Sequence, residues 1–328
     1  MQAPRIPSPS ALARGYTIAL IGAATLSLTA IFIRYLTQTY HLPALVLAFW
    51  RDAFASLTLL AVLAAARPRQ LRVAPRHVGY LAAFGLVQAV FNSLWTLSVS
   101  LNGAAVSTVL SYSSAGFTAM LGWWLLREQL GWAKILAVGL CLGGCVLVAD
   151  ALQASAWKAN WMGIVVGVLS GLLYAVYSLM GRSAAQRGLS AWTTVLYAFG
   201  FASIYLLGIN LALGRVLPGG AARLADLFWL GGALAGWGIL FLLAAGPSLI
   251  GYGLYLTSLG LLPASVANLI ATTEPVWTAV VAYALLAERM TAFQIGGSLM
   301  ILAGVVFLRL YEGRQAGQMK TGPAFTAD

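Results

Sequence analysis

Two stretches decide how this chain reads: Ser107–Leu130, STVLSYSSAGFTAMLGWWLLREQL, and Ala267–Met290, ANLIATTEPVWTAVVAYALLAERM. They align at an offset of 160, with Thr118/Thr278, Ala119/Ala279, Leu125/Leu285, Leu126/Leu286 and Glu128/Glu288 identical. Upstream, Ser98/Ser258, Leu101/Leu261, Ala104/Ala264 and Val106/Val266 extend the match. At an offset of 147, Phe54-Ala55-Ser56 meets Phe201-Ala202-Ser203, so an insertion of about a dozen residues falls between the seventh and eighth apolar runs. Self-similarity at a fixed offset marks a structural unit used twice.

Working outward, the units are embedded in apolar sequence. Of 328 residues 61% are hydrophobic and only 8% charged, with mean hydropathy +0.87. Soluble domains carry about 25% charged residues. Nineteen basic and eight acidic side chains cannot cover a water-facing surface of 34.5 kDa, so a soluble enzyme, a disordered chain and a disulfide scaffold are excluded. The net charge of +11 would point to nucleic acid in a soluble domain. Here it reads as basic loops on one membrane face, with no nucleic-acid partner.

A helix crossing a bilayer core about 30 Å thick needs roughly 20 apolar residues. Runs of that kind occupy 16–33, 44–66, 78–98, 104–126, 131–149, 162–181, 191–213, 237–258, 263–286 and 292–310. The region 226–258 is too short for two spans and reads as one, preceded by an interfacial or re-entrant piece. Continuous rather than alternating apolar runs exclude a β-barrel. Arg5 and Arg14 precede an apolar run too long for a signal peptide, which reads as an uncleaved first span. With the N-terminus inside, thirteen basic residues fall on cytoplasmic segments. Five lie outside (Arg34, Lys158, Arg215, Arg223, Arg289), leaving Arg51 within a span. That asymmetry places both termini in the cytoplasm.

Five helices per unit is an odd number, so the second unit is inverted relative to the first. The fold expected is an all-α integral membrane protein of ten transmembrane helices in two inverted five-helix repeats. Its parts are a cytoplasmic segment 1–15, a first repeat 16–149, a linker 150–161, a second repeat 162–310 and a cytoplasmic tail 311–328. Inverted repeats are a common plan of secondary transporters, with the binding site between the halves at mid-membrane.

The two segments ending in LLREQL and LLAERM, each after a small-residue and Ser/Thr-rich helix, resemble the paired signature of the drug/metabolite transporter superfamily, EamA type. Pro275, preceded by Glu274, fits that pattern, whereas the first copy carries Ala115 in place of the proline. The polar-aromatic third and fourth helices resemble those of the YddG-type amino-acid exporters. The resemblance implies a multi-pass exporter of small metabolites in the cytoplasmic (inner) membrane of a bacterium. Export direction comes from the resemblance alone.

Polar side chains within spans are costly in lipid and face a cavity or a neighbouring helix. Gln88, Asn92 and Trp95 share one face of the third helix, and their repeat partners Ser248, Tyr252 and Tyr255 share one face of the eighth. Thr108 and Tyr112 correspond to Asn268 and Thr272 in the fourth and ninth helices. Tyr174 and Ser178, with Ser170, lie on one face of the sixth. These residues are the expected substrate lining, against the plainer reading of interhelical hydrogen bonds worth about 0.6 kcal/mol each. Hydroxyl, amide and aromatic groups suit a neutral or zwitterionic solute with an apolar body. A phosphate substrate would want deep Arg or Lys pairs, and Arg51 stands alone.

Arg51 and Asp52, adjacent on one helix, point in different directions and are expected to need separate partners, with a structural role favoured. Glu274 is a candidate for proton coupling, and the Glu274-Pro275 and Gly246-Pro247 steps are candidate hinges. Gly163/Gly167/Gly171 and Gly139/Gly143 read as close-packing motifs within one chain, with dimerisation the alternative. Arg127-Glu128 and Glu288-Arg289 read as solvated anchors at helix ends. Cys141 and Cys145 read as small apolar side chains, and neither a cofactor nor a metal is called for. A membrane enzyme would want clustered acids or a nucleophile–base pair, which the spans lack. A channel remains a third reading.

Overall fold

The computed structural model describes residues 9–127, 131–148, 161–286 and 291–321. The expected anchors Glu128, Glu288 and Arg289 and nearly all of the 150–161 linker lie outside them. The described residues hold thirteen α-helices and no strand: α1 Pro9–Thr39, α2 Ala44–Ala66, α3 Pro75–Asn102, α4 Ala104–Ser111, α5 Ser114–Leu126, α6 Trp132–Val148, α7 Trp161–Gln186, α8 Ala191–Leu213, α9 Leu234–Leu243, α10 Leu249–Leu261, α11 Ala264–Ala271, α12 Glu274–Leu286 and α13 Ala292–Thr321. A π-helical step, Ala244–Ser248, joins α9 to α10. Six helical stretches among the described residues are long and apolar enough to cross a membrane: Ser10–Thr39, α2, α3, α7, α8 and Leu234–Leu261. The outward-facing side chains are apolar, with Leu57, Ile204 and Leu242 more than half exposed. Trp123, Trp124, Trp132 and Trp161 are exposed too, near helix ends where indoles favour the lipid interface.

Local sequence explains several boundaries. α2 begins after Pro43, and α8 begins after Ser190, whose hydroxyl accepts from the Thr193 N–H at 3.1 Å as an N-cap. α3 starts on Pro75 and ends at Gly103, whose φ of +83° is costly for any residue with a Cβ. The single stretch before Leu234 is a short 3-10 turn, Leu224–Phe228. It is pinned to α2 by the Trp50 indole, which donates to the Leu227 carbonyl at 2.6 Å.

The fourth and ninth apolar runs are not the continuous helices expected from their length. Each is two helices, and the breaks coincide at the 160-residue offset: Ser111/Ser114 in one, Ala271/Glu274 in the other. Their backbone bonds repeat as well. Ser113 N–H donates to Leu110 O at 3.2 Å and Thr273 N–H to Ile270 O at 3.0 Å; Gly116 donates to Ser113 O and Val276 to Thr273 O. Since Ala115 replaces proline in the first copy, proline is not the common cause. The structural correlate is α7: a Cβ on Gly171 would lie 2.9 Å from the Ser111 carbonyl oxygen and 3.1 Å from that of Leu110. Gly163 and Gly167 face Asn102 and Leu110 in the same way, so this stripe packs inside the chain.

Helix neighbours come in matched pairs. α1 lies along α10 and α7 along α3; α12 packs on α1 and α5 on α7; α2 pairs with α8, and α6 with α13. These contacts bring α1, α3, α7, α10 and the two broken helices around one centre.

Candidate functional site

At that centre the helix breaks face each other. Tyr112, in the gap between α4 and α5, donates its hydroxyl to the carboxylate of Glu274, the first residue of α12. An acid at a helix N-terminus is favoured by the unpaired N–H groups there. Ser114 donates to Asn268 Oδ1 at 3.1 Å. Asn268 Nδ2 in turn donates to the hydroxyls of Ser178 (3.2 Å) and Tyr255 (3.3 Å), which lie 2.6 Å apart. Each half therefore supplies one side of a buried hydrogen-bond network.

A cavity of ≈ 20 Å³, about enough for one water, lies beside this network. Leu26, Thr29, Phe91, Trp95, Thr108, Ser111, Tyr112, Tyr174, Tyr252 and Glu274 line it. Around it the rings pack tightly: Phe91 stacks on Tyr174 at 5.2 Å, Tyr174 lies 5.4 Å from Tyr255, and Tyr177 meets Tyr252 edge-on at 5.6 Å. Ligand pockets for small molecules have volumes of roughly 300 Å³ or more, so this centre is closed. A larger cleft of ≈ 310 Å³ lies at the ends of α7, α8 and α10. Its walls are mainly glycine, alanine and leucine, and none of the expected site residues lines it.

Of the expected lining, Trp95, Thr108, Tyr112, Tyr174, Tyr252 and Glu274 border the central cavity. Ser178, Tyr255 and Asn268 stand in the network next to it. Thr272 is buried with its hydroxyl returned to the Leu269 carbonyl at 2.5 Å, and Ser170 bonds the Gly167 carbonyl of its own helix; neither borders the cavity. Ser248 and Gln88 are fully buried, and neither the Ser248 hydroxyl nor either Gln88 amide atom has a hydrogen-bond partner. Pro275 occupies the first turn of α12, where a missing N–H costs little. Gly246 is bent out of helical geometry (φ −87°, ψ −105°) next to Pro247, so the eighth apolar run is kinked where the sequence places a hinge.

Asn92 holds a cluster that sequence reasoning missed. Arg51 Nη2 donates to Asn92 Oδ1, and Asn92 Nδ2 donates to both Asp52 oxygens at 2.6 and 2.7 Å. Arg51 and Asp52 thus share a partner rather than needing separate ones, and Arg51 Nε lies 3.7 Å from Asp52 Oδ1. Neighbouring positions diverge on a helix, but a long arginine side chain reaches back, and α3 supplies the bridge. The guanidinium carbon also lies 5.3 Å from the centroid of the Trp95 ring. Phe91, Leu26, Thr29 and Ser111 were missed as well. Leu26 and Thr29 follow the small residues of α1 at helical spacing, which was the available signal. Among the described residues there is no group of three or more His, Cys, Asp or Glu side chains placed to hold a metal.

An apolar-surfaced helical bundle with a closed polar-aromatic centre is the architecture of a multi-pass membrane protein. The EamA-like transporter family model matches residues 13–149 and 161–310, and the chain belongs to that family, within the drug/metabolite transporter superfamily. It is 28% identical over 222 residues to an uncharacterized transporter of Archaeoglobus fulgidus, covering 66% of this chain and 73% of that protein. A second, from Synechocystis sp., is 27% identical over 68% of this chain, which spans just under two thirds (64%) of it. A third, from Clostridium kluyveri, is 21% identical over 77% of this chain and 78% of its own length. One protein crystal structure shares the fold with TM-score 0.66 at 16% identity, covering 93% of this chain and 99% of that one. The chain is a multi-pass membrane transporter rather than an enzyme, with a small-molecule substrate and a lipid surrounding.

Proposed function

We propose that this protein is a secondary transporter that exports small neutral or zwitterionic metabolites, above all amino acids including aromatic ones, by alternating access. In this reading its ten spans form two inverted five-helix repeats with both termini cytoplasmic, in a bacterial inner membrane. The observation that carries it is the closed centre itself, where side chains of both halves meet across the breaks at Tyr112 and Glu274. The 160-residue coincidence of those breaks and the paired helix neighbours support the repeat. The tyrosine, tryptophan and phenylalanine rings supply faces for an apolar side chain, and Asn268, Ser178 and Thr108 supply neutral polar groups. A central volume near one water requires the halves to separate before a solute enters, which is what rocking about Gly246-Pro247 and the helix breaks would do.

Purified protein in liposomes tests this with labelled amino acids and unlabelled competitors. Saturable, competable flux supports a carrier; flux without saturation or competition supports a channel; no flux of any amino acid removes the substrate assignment. A second reading, export of other small metabolites or drugs coupled to protons, rests on Glu274 lying buried in the cavity wall. Glu274→Gln followed across pH decides it, because an unchanged pH dependence of transport rules out coupling through this residue.

A further inference from the structure

Arg51 is fully buried, yet its Nη1 has no hydrogen-bond acceptor and its Nε meets Asp52 only as an ion pair at 3.7 Å, beyond hydrogen-bond distance. A guanidinium carries five N–H donors, and each one left unpaired away from water costs on the order of 1–3 kcal/mol. Asp52 would satisfy them in a two-pronged pair, the usual geometry of arginine with a carboxylate. Instead Asn92 takes both Asp52 oxygens and spends its own oxygen on Nη2 alone. The charge is neutralised nearby while part of the guanidinium is kept free. One turn back on α3, Gln88 is also fully buried with both amide atoms unpartnered. The Trp95 ring, with the guanidinium 5.3 Å from its centroid, is itself a wall of the central cavity. The unused Nη1 donor of Arg51 thus lies beside the cavity wall, and Gln88 stands on the same face of α3 as Asn92 and Trp95.

We propose that Arg51, with Gln88, forms the carboxylate-binding subsite of this transporter, reached when Trp95 moves as the centre opens, so that its substrates carry a carboxylate on an apolar body. The inference rests on the transport reading above and narrows its substrate class. Asp52 and Asn92 are positioning residues that hold the guanidinium in place when no substrate is bound.

The test is competition and thermal protection by a panel of free L-amino acids, each paired with its own carboxamide, on the purified full-length chain. Wild type should prefer the acid over the amide about tenfold or more for the amino acids it takes, the loss expected for a charged hydrogen-bond partner. In Arg51→Gln that ratio should fall towards one. Gln88→Leu, which breaks no hydrogen bond of the closed state, should lower it by several-fold without lowering the melting temperature of the unliganded protein. If no acid outperforms its amide in wild type, or if both variants weaken acid and amide equally, the subsite does not exist, whether or not saturable flux is observed. Absence of saturable flux for every probe would overturn the transport reading instead. Should Arg51→Gln fail to fold, the wild-type ratio and Gln88→Leu decide the matter.

Discussion

Replacing Gly171 by alanine tests whether the glycine stripe of α7 seats the broken fourth span. The added methyl would meet Ser113 Oγ and two carbonyl oxygens, at 2.9 Å and 3.1 Å. The carbonyls belong to backbone that cannot rotate away, so the break must shift. Overpacking of this kind costs about 1–3 kcal/mol, and the gain from alanine over glycine in a helix returns only about 1 kcal/mol. The expected net change is a loss of about 0–2 kcal/mol, against a gain at a site with no such contact. Gly208 in α8 is the control: it is exposed, and a methyl there has no neighbour within 4 Å. Gly208→Ala should therefore be stabilising by about 0.5–1 kcal/mol. Equilibrium unfolding in mixed micelles reads both, and substrate uptake in liposomes should fall only for Gly171→Ala, because the displaced segment carries Tyr112. Equal shifts of the two variants in one direction would show that α7 does not pack on the break.

Asn210 donates to the Leu45 carbonyl at 3.1 Å and accepts from the Ala221 N–H at 3.1 Å, tying the 214–222 loop to α2. Asn210→Leu should cost about 1–3 kcal/mol by orphaning the Ala221 N–H and should raise trypsin cleavage at the exposed Arg215 and Arg223. Cleavage in sealed right-side-out vesicles also reports the side of the membrane on which the loop lies. Pro247→Ala restores a backbone donor in the π-helical step. It should raise thermal stability by about 1–3 kcal/mol while slowing uptake several-fold, and unchanged uptake would remove the hinge role.

What the sequence revealed and what it hid divide along local and non-local causes. α2 and α8 fall on 44–66 and 191–213 as read, because Pro43 and Ser190 mark their starts and the apolar runs end at Arg67 and Gly214. The kink at Gly246-Pro247 was visible for the same reason. The break between α4 and α5 was not: Ala115 is a good helix former, and the glycine that accommodates the break sits on another helix, more than 50 residues away at Gly171. Periodicity placed Gln88, Asn92 and Trp95 on one buried face, but it could not reveal that Asn92 spends its amide on Arg51 and Asp52. The same limit hid the division of the lining into residues bordering the cavity, such as Tyr112 and Tyr252, and residues such as Thr272 whose hydroxyl serves its own backbone.

The buried charges need an explanation that folding does not supply. Removing Arg51 and Asp52 together in favour of apolar side chains would be neutral or stabilising in many proteins, since desolvation offsets most of a buried pair's attraction. Here even that attraction is incomplete, with Nε 3.7 Å from the nearest Asp52 oxygen and Nη1 lacking an acceptor. Gln88 is in the same position, fully buried with neither amide atom hydrogen-bonded in the closed state. Polar groups that pay desolvation without compensation in one conformation are accounted for if another conformation supplies their partners. A carrier has such a conformation by necessity, because its centre must open to admit a solute. The unpaired donors beside Trp95 therefore connect the closed geometry to the open one.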